Sequence, residues 1–280
     1  MTKSNNPLQQ FFRQPAVYVR LPSGGNFWSD GSLIPSKTNE FPVYPMTAID
    51  EITYRTPDGL FNGQAVVSVI QSCLPNVLDA WDMPTMDVNA VLIAIRIASF
   101  GHELALTTTC PACNNEDDVG IDLRTILDQM HTPDYTVQIK QGDVEITIRP
   151  ISYREQTKIN ISQYENQRRL NLNNESDLSD EQKIKNITDI MKQITDLTIE
   201  LLKCSIVSIR VPGTLVTESQ FIDEYLHNCD RGMFTKIRDT VIGLRESAEI
   251  KPMKWKCTGC GHEYDQPISL DQSNFFGNAS

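Results

Sequence analysis

The chain has 280 residues, 40% of them hydrophobic, which is ordinary globular chemistry and enough length for one large or two modest domains. Acidic side chains outnumber basic ones 36 to 25 for a net charge of −11, so the basic stripe that nucleic acid requires is not expected and no nucleic-acid partner is assigned. The first twenty residues hold Arg13 and Arg20 and no apolar run, and the longest apolar stretch, Ala90 to Ser99, is broken by Arg96; no signal peptide or membrane span is expected, and the seven cysteines are expected in a reducing cytoplasm as thiols or metal ligands rather than disulfides.

Residues 1–14 are polar and read as an arm. Val17, Val19 and Leu21 alternate with Tyr18 and Arg20, the period of a strand; Pro22–Gly25 is a turn, Asn26–Trp28 a return strand, and Phe41 with Val43 a third. Phe27 and Trp28 read as core, with a partner surface as the alternative. Thr47 caps a helix with Asp50 three residues on. A second helix starts at Asn62 or Gly63 and ends before Pro75. Asp87 caps a third, apolar nearly all round and therefore central, in which Arg96 needs a carboxylate partner as a structural ion pair. A short helix over Leu123–Met130 precedes strands at 135–149, where Val137, Ile139, Val144, Ile146 and Ile148 alternate until Pro150. Ser152–Asn171 reads as a helix, followed by a polar break to Ser179.

The helix after Ser179 starts with a capping-box match to Gln182. Ile184, Ile187, Met191, Ile194, Thr198 and Leu201 then fall on alternating three- and four-residue steps, a heptad seam of about two and a half repeats. That seam serves either an intramolecular hairpin with the 152–171 helix or self-association with another chain through 184–201. A strand and turn follow around Pro212-Gly213. Thr217 caps a helix bearing Phe221, Ile222, Tyr225 and Leu226, and a last helix runs from about Asp230 through Leu244. The tail carries an apolar hook, Phe275-Phe276-Gly277, to dock on its own domain or on a neighbour, and deleting Phe275 to Ser280 is expected to weaken partner binding more than folding.

Two short stretches are copies of one another. Thr109-Cys110-Pro111-Ala112-Cys113 and Lys256-Cys257-Thr258-Gly259-Cys260 each carry a Cys-x-x-Cys, and an offset of 147 also superposes Glu116 on Glu263, Asp118 on Asp265, Ile121 on Ile268 and Leu123 on Leu270. Each such knuckle presents two thiolates to one tetrahedral ion, so Cys110, Cys113, Cys257 and Cys260 are read as the ligands of one zinc per chain. Four thiolates close the coordination sphere, which makes the zinc structural. The competing readings are a redox pair, a disulfide framework, or two unrelated pairs of thiols. A redox pair usually opens a helix after a strand, whereas Asn114, Asn115 and Gly261 point to turns that return into strands. His262 could replace a thiolate only by straining its knuckle. Cys73, Cys204 and Cys229 are isolated and read as buried free thiols.

None of the four histidines lies in a metalloprotease pattern, and no nucleophile elbow, phosphate loop or dinucleotide fingerprint is present. Asp117-Asp118 lies beside the first knuckle, in an expected exposed turn. The chain is therefore read as no enzyme. The organisation expected is α+β: a mostly helical body with short N-terminal β-strands, and a zinc-ribbon-like β module formed by two CxxC knuckles distant in sequence. The segments expected are 1–46 (arm and β-hairpin), 47–106 (helical core), 107–150 (first knuckle and strands), 151–253 (helical domain) and 254–280 (second knuckle and apolar tail).

The N-terminal half resembles the baseplate-hub protein family of T4-like contractile-tailed bacteriophages. The resemblance is carried by Val19-Arg20-Leu21-Pro22-Ser23-Gly24-Gly25, Pro45-Met46-Thr47, Asp50-Glu51, Thr56-Pro57-Asp58-Gly59-Leu60, Asn62-Gly63, Ser72-Cys73-Leu74-Pro75 and the stretch from Leu92 to Gly101, running into the first knuckle. It covers 15–125 well and the C-terminal part more loosely. It implies a non-enzymatic part or assembly factor of the phage tail baseplate hub, with other tail and baseplate proteins as partners, made in the host cytoplasm and either retained in the virion baseplate or released. The reading set against it is a cytoplasmic zinc-containing adaptor or chaperone unrelated to phage.

Overall fold

The computed structural model describes residues 6–56, 59, 61–130, 132–175, 179–266, 275 and 276. The backbone gathers into two units, each assembled from segments far apart in sequence: Met1–Ala80 with Asp87–His131 and Ile250–Ser280, and Trp81–Met86 with Thr132–Glu249. No helix among the described residues is long and apolar enough to cross a membrane.

In the first unit the alternating residues form strand β1 (Val17–Val19), antiparallel to β2 (Phe41–Val43). The return strand expected at Asn26–Trp28 does not form. Phe27 takes a left-handed backbone (φ 68), which breaks any ladder there; the Trp28 indole turns inward to Asp87, while the Phe27 side chain is exposed rather than in the core. Helix α1 (Ala48–Tyr54) opens on the expected Thr47–Asp50 capping box, and Asp50 also receives Arg13 at 3.2 Å. Helix α2 (Gln64–Cys73) leads towards α3 (Thr85–Phe100), whose Ala90–Ile95 stretch is fully buried, as its all-round apolar character requires.

Two expectations for α3 need correction. The helix begins at Thr85, so Asp87 is in its first turn rather than at its cap. Its buried carboxylate accepts the Ser23 amide (2.8 Å), the Ser23 hydroxyl (2.5 Å) and the Trp28 indole N–H (3.1 Å), fixing the 23–28 loop. Nor is a carboxylate the partner of Arg96 among the described residues. Its Nε donates to the Phe275 carbonyl (3.2 Å) and its guanidinium lies 4.9 Å from the Phe100 ring centroid. Phe275 and Phe276 are both 5% exposed, and Phe276 meets Tyr54 edge-on at 4.5 Å. The apolar hook thus docks on its own unit.

The second unit is built on an antiparallel sheet in the order β5 (Ile139–Gln141), β6 (Val144–Ile148), β7 (Ile206–Val211), β8 (Thr214–Val216). Its core joins Ile146, Ile148 and Ile209 of the sheet to Leu202, Ile222 and Ile237 of the helices. Helix α4 of the first unit (Leu123–Gln129) precedes these strands in sequence, and α5 (Tyr153–Glu175) follows them, running past the break expected at Asn171. Helix α6 (Asp180–Ser205) has the expected Ser179–Gln182 capping box and packs antiparallel on α5. The contact stripe differs from the heptad seam. Asn186 donates to Asn173 (2.9 Å), Arg169 to Gln193 (2.7 Å) and Lys158 to Glu200 (3.3 Å), with Ile190 buried between them. Ile184, Met191 and Ile194 of the seam stay exposed. Helix α7 (Ser219–Asn228) is preceded by Glu218 at its N-cap rather than by Thr217, and α8 (Arg231–Ser247) is capped by Asp230.

Candidate metal centre

Both knuckles lie in the first unit, each at the tip of an antiparallel hairpin. The first joins β3 (Glu103–Thr109) to β4 (Glu116–Asp122), and the second joins β9 (Met253–Lys256) to β10 (Glu263–Gln266). The repeat read from sequence recurs bond for bond. Asn114 N donates to Cys110 O and Gly261 N to Cys257 O, both at 2.9 Å. Cys110 N donates to Asn115 O and Cys257 N to His262 O, again at 2.9 Å. The one residue that must turn left-handed to reverse the chain is Asn114 in the first copy (φ 55) and Gly261 in the second (φ 75), 147 positions apart. Asn and Gly are the residues that tolerate this conformation best. These are turns returning into strands, the geometry that separates a metal knuckle from a helix-opening redox pair.

The structure brings the four cysteines together. Their Sγ atoms all lie within 4.8 Å of one another, with Cys110 to Cys260 at 3.8 Å and Cys113 to Cys257 at 3.6 Å. Zinc–sulfur bonds of about 2.3 Å in a tetrahedron separate the sulfurs by roughly 3.8 Å, so the cluster has the size and donor set of a tetrathiolate site. His262 contributes a backbone carbonyl to its knuckle and stacks its ring on Tyr264, outside the sulfur cluster.

Electrostatics inside the cluster are frustrated when only protons are available. Burial disfavours the Cys110 thiolate, but the amides of Ala112 and Cys113 outweigh it and bring the thiol down to about 7. The Asn115 amide favours the Cys113 thiolate, yet the sulfurs of Cys260, Cys257 and Cys110 push it up to about 12. A divalent cation bound by all four would remove that conflict by keeping every sulfur ionised. The other thiols are poor ligands and poor nucleophiles: burial pushes Cys73 up to about 12 and Cys204 up to about 11.

Side chains the sequence reading passed over join the two hairpins. Asp117 and Asp118 lie in strand β4 rather than in a turn, and Asp117 is 7% exposed. Its carboxylate accepts the Thr258 amide (3.1 Å), the Thr258 hydroxyl and the Asn115 side-chain amide (2.9 Å). The Thr258 hydroxyl, with the Thr258 amide, holds this carboxyl below its ordinary range. Thr108 and Tyr264 pair through their hydroxyls at 2.9 Å. The signal that could have placed Asp117 inward is its period of two with Val119 and Ile121, both buried.

A family model described as T4 bacteriophage base plate protein matches residues 33–277, which includes both knuckles. Neither the curated proteins nor the solved structures contain a match. The matched span takes in both units and nearly the whole described chain, and on that evidence the chain belongs to the T4 bacteriophage base plate protein family.

Proposed function

We propose that this chain is a non-enzymatic structural or assembly protein of the baseplate hub, held together by one structural zinc on Cys110, Cys113, Cys257 and Cys260. The observation that carries the baseplate role is the family match over 33–277, and the observation that supports the metal is the four-sulfur cluster of tetrahedral dimensions. A closed tetrathiolate leaves no coordination position for water or substrate, so the ion acts as a clip, and the β module around it is zinc-ribbon-like. Baseplate proteins work by binding one another, and exposed large apolar residues supply the means: Leu8, Phe11 and Phe12 on the N-terminal arm, and Ile184, Met191 and Ile194 on α6. The α6 stripe is the part of the chain suited to self-association. Family membership leaves the adaptor reading unrelated to phage without support.

A tagged pull-down from infected cells, with mass spectrometry of the bound proteins and of purified particles, tests the reading. Tail proteins in the pull-down and this chain in the particle make it a hub component. Tail proteins without the chain in particles make it an assembly factor that leaves. No tail protein at all refutes the proposal.

A further inference from the structure

Four thiols from opposite ends of a sequence can meet because a metal collects them, or because the protein holds them ready. The two cases differ in what else joins the knuckles. Here a buried carboxylate does so, chiefly through the residue that follows Cys257. Asp117 extends from β4 of the first hairpin and accepts both the backbone amide and the hydroxyl of Thr258, the residue after Cys257. The same carboxylate accepts the Asn115 side-chain amide at 2.9 Å, which turns Asn115 against the second knuckle, where it lies within van der Waals reach of Gly259.

The latch runs one way only. At the 147 offset Thr258 corresponds to Pro111, which has no amide to donate, and Asp117 corresponds to Tyr264. The second hairpin returns the contact through that Tyr264, to the Thr108 hydroxyl. Equivalent positions thus reach across in both directions with different chemistry, and only the first hairpin grips a knuckle loop.

We propose that Asp117 is a positioning residue that locks the second knuckle onto the first independently of metal, so that the four sulfurs form a preassembled site. This rests on the tetrathiolate reading for its consequence, metal affinity, but not for the latch itself. A multidentate acceptor on a knuckle amide restricts the loop before any ion arrives, and outer-shell partners of this kind change metal affinity by about 10- to 100-fold.

The test uses the full chain as wild type and as Asp117→Asn and Thr258→Val, the second variant leaving the carboxylate in place while removing one of its donors. In the metal-stripped protein, brief oxidation with diamide followed by peptide mapping records which cysteines are neighbours. Wild type is expected to give pairs between knuckles, Cys110–Cys260 and Cys113–Cys257, and both variants to shift towards pairs within a knuckle. The same pairing pattern in wild type and both variants would overturn the latch. Cobalt(II) titration then reads affinity and the tetrathiolate charge-transfer band together. Affinity should fall about 10-fold or more in both variants with the band unchanged in shape, and wild-type affinity in both would overturn the latch's role. A wild type that gives pairs between knuckles but no cobalt band would remove the metal and leave the latch standing.

Discussion

The two copies of the knuckle hairpin share a backbone but not a means of support. The first has seven-residue strands, β3 and β4, and buries Leu104, Val119 and Ile121 beneath them. It is also continuous with α3 before it and α4 after it. The second has four-residue strands, and Met253, Trp255, Tyr264 and Gln266 are only half-buried. A hairpin of that length is marginal by itself. Its stability must come from what grips it, the sulfur cluster, the Asp117 latch and the Thr108–Tyr264 hydroxyl pair; further along the chain Phe275 and Phe276 are anchored on the body of the same unit. Duplication of a motif therefore does not imply duplication of its energetics. One copy is a scaffold and the other is a docked part.

Removing a sulfur breaks this arrangement most completely. Cys110→Ser and Cys257→Ser should each abolish bound zinc, measured by elemental analysis, and each should lower the melting temperature of the first unit by roughly 10 °C or more, a loss of several kcal/mol. The copies differ in the aftermath. Hydrogen exchange should stay slow in β3–β4 and become fast in β9–β10 for either variant. A variant that retains metal and melts like wild type would mean the cysteines do not share one ion.

The tail is the next largest anchor. Phe276 packs edge-on to Tyr54 and near Phe100, and the Phe275 carbonyl takes the buried Arg96. Phe276→Ala should cost about 3 kcal/mol in urea unfolding, the usual cost of truncating a buried phenylalanine. From sequence, loss of this hook is expected to weaken partner binding more than folding. Its burial on its own unit shifts the expected loss to folding, and a variant that unfolds normally but no longer binds tail proteins would reverse that assignment.

The start of α3, the helix that leads into the first copy, should instead be strengthened by acid. Burial raises the Asp87 carboxyl to about 6, against the Ser23 and Trp28 hydrogen bonds that favour its ionised form. A folded-state pKa above the unfolded value of 3.8 means the native chain binds the proton more tightly. The contribution of Asp87 to stability should therefore rise as pH falls through about 6 towards 4, by up to about 3 kcal/mol, and be lost again on return to pH 7. Urea unfolding of wild type and Asp87→Asn at pH 7, 6, 5 and 4 isolates the effect as the difference between the two slopes. Parallel slopes would mean that the three donors already hold the group at its ordinary pKa.

Much of this was legible from residue order. Capping boxes at Thr47 and Ser179, the apolar α3 and the knuckle repeat are local patterns, and local geometry obeyed them. The misread elements were those decided by a partner distant in sequence. Arg96 found a carbonyl 179 residues away, which no helical pattern encodes. The heptad seam of α6 lost to a neighbouring stripe because α5 offers Lys158, Arg169 and Asn173, and these select Glu200, Gln193 and Asn186. Only the Asn186–Asn173 pair is partly buried; the other two are surface contacts, and the stripe that faces α5 is the one that buries Ile190 and Ile199. At the sulfur cluster the four cysteines that meet were readable because of their paired spacing, whereas Asp117 was hidden by the general preference of acidic residues for water.

The finest difference between the copies is a single methyl group. At the same knuckle position the first copy has Ala112 and the second Gly259. A Cβ added to Gly259 would stand 3.1 Å from Cγ of Asn115, tighter than most such contacts, because the latch turns that amide onto the second knuckle. Gly259→Ala should therefore cost somewhat under 1 kcal/mol and lower cobalt affinity a few-fold, since Asn115 must give way by a few tenths of an ångström. Ala112→Gly should weaken the site only through added freedom of the unfolded chain, with no change in affinity beyond that. The pair of variants separates contact from entropy. In an Asp117→Asn background Asn115 is no longer held in place, and the cost of Gly259→Ala should shrink; an unchanged cost there would show that the crowding comes from the hairpins' own packing and not from the latch.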